Sequence, residues 1–271
     1  MVMGPTHAMS GAAAGLAVAQ LLPASWGGVS SAQEAFVFAG IAAGAALLPD
    51  LDSPQATVSR SFGPVSQMLS HLVENVSQFL VNLTRGPKDR RCGNGHRTVT
   101  HTLWFALAAG AVAAPLISAF GRPATIGLLF VFLALAIRGL FPEWSKKKEW
   151  VLVTALAALL AYGAWRYVPL TASGLVLGSA VTVGVLAHLA GDFITKHGIP
   201  LFAPLLRFRG RRWWNAGLPK PLRVRASGPA DKFLLSAFTM LVVVQVIYIG
   251  SGDFVEYAQF VPASTSIDSS R

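Results

Sequence analysis

Seven apolar stretches recur along this 271-residue chain, and their length is the feature that most restricts its fold. They run from about Thr6 to Leu22, Ala32 to Leu48, Leu103 to Phe120 and Thr125 to Phe141. Trp150 to Val168, Ser173 to Asp192 and Phe233 to Gly250 complete the set. A membrane-spanning helix needs roughly 17–25 apolar residues, so several of these sit at the short end. The spacing predicts an all-α, polytopic membrane helix bundle of six or seven spans. Charged residues make up 13% of the chain, against about 25% in a soluble domain. A single cysteine, Cys92, excludes an internal disulfide framework and a thiolate-rich zinc site. The first stretch lacks the basic flank of a signal peptide and is expected to stay.

One segment has a different pattern. Phe62, Val65, Leu69, Leu72, Val76, Phe79 and Leu83 recur at helical spacing, with Gln67, Ser70, His71, Glu74 and Gln78 between them. This predicts an amphipathic helix, lying in the membrane interface or packed under the bundle. A soluble hairpin helix is the alternative reading. Residues 1–250 are expected to form one membrane-embedded domain, with 251–271 as a polar tail.

Charge sets the expected orientation. With seven crossings, nineteen Lys and Arg fall at the side holding the N-terminus and three at the other: Arg122, Arg166 and Arg271. Lys and Arg accumulate in cytoplasmic loops. The N-terminus is therefore expected in the cytoplasm and the C-terminus outside, in an inner (plasma) membrane. The net charge of +10 is then mainly a topology signal. The run from Arg207 to Trp214 mixes basic and aromatic side chains, which suits lipid headgroups beside a membrane better than nucleic acid. Nucleic acid is not an expected partner, and no protein partner is indicated.

Several polar residues do not belong in lipid, and the topology gathers them at one side. His7 opens the first span. Asp50 and Asp52 follow Pro49 at the end of the second. His96, Arg97 and His101 precede or open the third, with His101 on its first helical turn. His188 and Asp192, four apart on the sixth, share one helix face. Ionisable residues at such positions are functional candidates. Imidazole and carboxylate suit a dication such as zinc, with manganese or magnesium as alternatives. Each group also has a bland reading: a helix-end ion pair for His188 and Asp192, solvated acids for Asp50 and Asp52, interfacial histidines for His96 and His101. Two neighbouring carboxylates are costly when unpaired, which a metal would relieve. His71 reads as part of the amphipathic polar face, and His197 is intermediate. The zinc-protease motif, the nucleophile elbow and the phosphate-binding loop are all absent.

Thr6-His7, Pro49-Asp50-Leu51-Asp52, His96-Arg97, Thr100-His101 and His188-Leu-Ala-Gly-Asp192, in this order, resemble the YdjM-like family. Its members are described as membrane-bound metal-dependent hydrolases and as LexA-binding inner membrane hydrolases. The resemblance covers nearly the whole chain and implies a divalent metal held by His7, Asp50, Asp52, His96, His101, His188 and Asp192. A more distant similarity to zinc-dependent phospholipase C and S1/P1-type nucleases implies several zinc ions. The later His-x-x-x-Glu pair of those enzymes is missing, and Asp231 is the remaining acidic candidate. The expected activity is hydrolysis of a phosphoester or lipid, with Asp50 or Asp52 as base and Arg97 on the phosphate. The rival expectations are a transporter, or a scaffold or regulatory binding protein. Transporters place their sites near the bilayer midplane, whereas these residues gather at one face.

Overall fold

The computed structural model describes residues 3–22, 27–147 and 150–251. The expected C-terminal tail, from residue 252, lies outside the described residues. The elements are α1 Gly4–Leu21, α2 Ala32–Ala45, α3 Pro64–Thr84, α4 Leu103–Phe120, α5 Arg122–Leu140, α6 Pro142–Lys147, α7 Trp150–Tyr167, α8 Gly174–Phe193 and α9 Pro229–Gly250. Short 3-10 turns occupy Pro49–Asp52, Thr57–Arg60, Val99–His101 and Lys220–Leu222. Among the described residues there is no strand longer than an isolated bridge. The protein is an all-α membrane helix bundle.

Among the described residues six segments are long and apolar enough to cross a membrane: Ala32–Asp52 and the helices α4, α5, α7, α8 and α9. The seventh expected span, α1, has 18 residues, but Pro5, His7 and Gln20 among its Gly, Ser and Thr keep it below the same apolarity. It packs inside the bundle, against α2, α5, α8 and α9. The segment through α2 is 83% buried, whereas α9 is 6% buried, so α2 is central and α9 peripheral. The outward faces of α4, α7 and α9 carry exposed Leu, Val, Trp and Tyr, as a lipid-facing surface requires.

Local chemistry sets the helix starts. Ser31, Thr102 and Ser173 cap α2, α4 and α8 by accepting from the backbone N–H three residues on. Thr102 as a cap ends the 3-10 turn that carries His101. That side chain therefore precedes α4 rather than riding on its first turn. The regular part of α2 stops at Ala45, and the chain tightens into the 3-10 turn that carries Asp50 and Asp52.

Contacts at the two ends show the alternating course. At one end, Met3 N and Thr6 Oγ1 donate to Asp231 at the start of α9. At the other, the buried Glu34 carboxylate accepts from Ser30, Thr171 and Ala172, joining the start of α2 to the α7–α8 turn. Arg122 binds the Trp165 carbonyl at this second end. The first end also carries the long loop 194–228 with its many cations.

The amphipathic segment forms α3, in the first of its two expected placements. Its buried positions are Ser66, Ser70, Ser77 and Val81. Its apolar stripe, including Val65, Leu72, Phe79 and Leu83, is exposed. A stripe of this kind facing outward fits an interfacial helix, which lays its apolar face toward lipid. The polar face then serves the fold: Gln78 and Asn82 donate to the Cys92 carbonyl, fixing the loop that leads to His96.

Close helix approach depends on glycine. A Cβ on Gly44 would stand 2.0 Å from the Phe132 carbonyl oxygen of α5, and one on Gly184 2.2 Å from that of Ala42. Small residues of this kind let helices pack closely in lipid. At Gly163 a Cβ meets nothing within 4 Å. Gly44→Ala should therefore lower thermal stability in detergent, by about 1–3 kcal/mol from overpacking. Gly163→Ala should leave stability unchanged or raise it by roughly 0.5–1 kcal/mol, the ordinary helix preference for Ala. Equal effects at the two positions would show that the α2–α5 approach is looser than described.

Candidate metal centre

Four segments distant in sequence supply one buried cluster. His7 comes from α1, Asp50 from the turn after α2, His101 from the turn before α4, and His188 and Asp192 from α8. His7, His101, His188 and Asp192 are fully buried and Asp50 is 5% exposed. The four-residue spacing on α8 sets His188 Nε2 3.8 Å from Asp192 Oδ2.

Two triads share His188. The first is His7, Asp50 and His188; the second is His101, His188 and Asp192. In the second, the Nε2 atoms of His101 and His188 are 3.2 Å apart, and His101 Nε2 is 3.5 Å from Asp192 Oδ2. Zinc bonds of ~2.0–2.1 Å in a tetrahedron put neighbouring ligand atoms about 3.3–3.4 Å apart. The triangle therefore fits a small dication without rearrangement. In the first triad, His7 stacks on His188 with ring centroids 3.9 Å apart. His7 Nε2 lies 3.5 Å from Asp192 Oδ1 without a hydrogen bond, and His7 Nδ1 and Asp50 Oδ1 lack a hydrogen-bond partner. Buried polar atoms without partners are rare and call for a reason. Ligation of a cation would supply one.

The ring orientations are set from behind. His188 Nδ1 donates to the Ala46 carbonyl at 2.7 Å, which leaves Nε2 as the inward atom. His101 Nδ1 lies 3.0 Å from Thr100 Oγ1, and Thr100 in turn donates to Asp52 Oδ2 at 2.5 Å. Asp52 also accepts from His96 Nδ1 at 2.6 Å and from the Arg97 backbone N–H at 2.8 Å. Both its oxygens are thus occupied, and Asp52 organises the 96–101 loop. Asp52 and His96 stand outside both triads. Two nitrogen lone pairs 3.2 Å apart repel unless a proton or a cation lies between them. Burial alone lowers the affinity of His101 for a proton, but the carboxylates of Asp192 and Asp52 outweigh it and push its pKa up to about 9.

Arg97 sits at the mouth. Its Nη2 is 2.6 Å from Asp192 Oδ2 and 3.4 Å from the Gly198 carbonyl. Its backbone is left-handed, with φ of 55°. That conformation aims the guanidinium inward while the backbone N–H binds Asp52. The remaining candidates fall elsewhere. His71 and His197 are exposed. Asp231 accepts from Met3, Thr6 and Ser227 and so ties α9 to α1. Its role as a substitute ligand is replaced by this structural one. Two contributors carry little sequence signal: the Ala46 carbonyl, a backbone group, and Thr100, a hydroxyl beside a candidate ligand.

The loop after α8 encloses a cavity of about 940 Å³, walled by Phe193, Trp213 and Trp214 and by Lys88, Arg209 and Arg211, and no residue of the cluster lines it. Asp89 shapes it by accepting from the backbone of Arg212 and Trp213.

The chain matches the sequence model of the family described as YdjM inner membrane protein, over residues 1–141 and 150–252. No curated protein and no solved structure matches it.

Two outcomes follow from this geometry. His188→Ala removes the residue common to both triads and should abolish bound metal in elemental mass spectrometry of the purified protein. His7→Ala should lower metal content only in part, and His197→Ala should leave it unchanged. Wild-type metal in His188→Ala would refute the shared-ligand arrangement. Metal must also displace the His101 proton. Calorimetric titration at pH 7 in two buffers of different ionisation enthalpy should then show about one proton released through His101. Apparent affinity should rise about tenfold per pH unit and level off near 9.

Proposed function

The chain belongs to the YdjM inner membrane protein family, and we propose that it is a metal-dependent hydrolase whose centre faces the cytoplasm. The observation that carries this reading is the burial of His7, Asp50, His101, His188 and Asp192 at one end of an apolar bundle. Charged and imidazole groups in such a place are expensive unless they serve a site. The cytoplasmic assignment rests on the distribution of Lys and Arg: Arg122 and Arg166 are at the far end, and the loops 85–97 and 194–228 at the near one.

His7, Asp50, His101, His188 and Asp192 would hold the metal, zinc being the first choice for this donor set. When bound, such a metal supplies Lewis-acid polarisation of an ester oxygen and a water acidified toward neutrality. The chain's own residues do the rest. Asp50 would take the proton of the attacking water through the carboxylate oxygen that the metal leaves free. That water's oxygen joins the phosphorus or acyl carbon as the ester bond breaks, and Asp50 passes the same proton to the leaving oxygen, which departs as an alcohol. Arg97 moves from Asp192 to an anionic substrate oxygen, where its planar fork binds two oxygens at once. Lys88, Arg209 and Arg211 line a cavity under the same cytoplasmic loop, cationic surroundings that favour an anionic substrate such as a phosphoester. Asp52 acts through the loop, holding His96 and Arg97 in register.

The test is hydrolysis of a panel of phosphoesters and carboxylic esters by the metal-loaded protein in detergent. Asp50→Asn should lower kcat at least about a hundredfold, the usual scale of a lost general base. Arg97→Ala should lower kcat/KM for phosphoesters more than for neutral esters. A fully loaded wild type that hydrolyses nothing, or an Asp50→Asn variant as active as wild type, would sink this reading.

A further inference from the structure

The buried cluster is one end of a longer feature. Helices α8 and α9 both pack on α1 but scarcely on one another. Between them remains a cleft of about 440 Å³ whose floor is the α1 face from Thr6 to Ala17. Ala187 and Gly191 form the α8 wall; Leu234, Phe238 and Leu241 form the α9 wall. The surface is almost wholly apolar, and both walls are helices apolar enough to span a membrane.

At its polar end stands His7. This side chain is fully buried, lines the cleft, and has neither ring nitrogen in a hydrogen bond. It also belongs to the triad with Asp50 and His188. The cleft therefore ends against one residue of the centre.

Its dimensions select an occupant. Eleven residue steps along α1 cover ~17 Å at 1.5 Å each. That is roughly the depth of one leaflet, half of a ~30 Å hydrocarbon core. A narrow, apolar cleft of about 440 Å³ and this length, walled by α8 and α9 that both stay packed on α1, suits a single extended hydrocarbon chain.

We propose that this cleft holds one hydrocarbon chain of a membrane lipid, which sets the lipid's polar head, with its ester, at the metal centre. The first half stands on the cleft alone. The second rests on the hydrolytic reading above and narrows its substrate class to membrane lipids. The lipid enters sideways from the leaflet that borders the site, between α8 and α9, and its chain runs along α1 away from His7.

The test uses the full-length protein in nanodiscs containing a phospholipid with a diazirine in its acyl chain. After illumination, adducts are mapped by mass spectrometry, and metal content is measured on the same samples. Adducts should concentrate at Ala13–Ala17 and Leu234–Leu241. Ala17→Trp and Ala187→Trp fill the cleft from opposite sides. Each should cut labelling there about tenfold, while labelling of the outer face of α7 and metal content stay at wild-type levels. Adducts spread evenly over the outer faces of α4, α7 and α9 would overturn the proposal, as would undiminished cleft labelling in both tryptophan variants. The wild-type map decides on its own should a tryptophan prevent folding. A wild type that labels in the cleft yet binds no metal would uphold the chain site and remove the hydrolytic reading.

Discussion

Charge buried in an apolar bundle must be neutralised where it stands, and the rest of this structure is arranged around that demand. Asp50, Asp52 and Asp192 lie within segments apolar enough to span a membrane. Each carboxylate faces imidazole or guanidinium rather than water. Removing one partner from such a set strands a buried charge, at a cost of about 3–5 kcal/mol. The cluster therefore locks α1, α2, α8 and the turn before α4 to one another. It is a fastening as well as a candidate site.

The buried carboxylates divide into two kinds. Glu34, Asp52 and Asp231 each collect several hydrogen bonds from backbone and hydroxyl donors. They join chain-distant segments, and little capacity is left on them for a ligand. Asp50 and Asp192 differ, since their nearest partners are imidazoles and Arg97 at 2.6–3.9 Å. Asp52 links the two kinds. It fixes the loop through Arg97 N–H and Thr100, and the loop in turn fixes His101. Outer partners of this type orient metal ligands and hold their tautomers. The same loop is held from its other side by Gln78 and Asn82 of α3, so an interfacial helix sets the geometry of a buried site.

Much of this was legible in the residues. The spans follow from apolar length, and the gathering of His7, Asp50, His101, His188 and Asp192 follows from alternation of those spans. What the sequence could not supply was the division of roles. Asp50 and Asp52 are two residues apart on a 3-10 turn, and only the fold shows one facing His188 and the other His96. The α3 stripe was readable as a face, but the choice between lying in the interface and packing under the bundle was not. Which side of an amphipathic helix meets protein depends on neighbours that no local pattern records. The role of Asp231 stayed open for the same reason, because its partners Met3 and Thr6 lie at the opposite end of the chain.

The smallness of α1 connects these observations. A helix surrounded by α2, α5, α8 and α9 can be approached closely only if its faces carry Ala, Gly, Ser and Thr. The approach is tightest toward α2, where a Cβ on Gly11 or Gly15 would meet Ala46, Ala42 or Ala39 at under 3 Å. Toward the α8–α9 side the small side chains face no filling residue, and the cleft remains. One choice of residue size thus brings His7 against His188 and leaves room for a hydrocarbon chain beside it. A bulkier α1 would lose both, so the close packing of the centre and the lateral opening to the membrane are a single property of one helix.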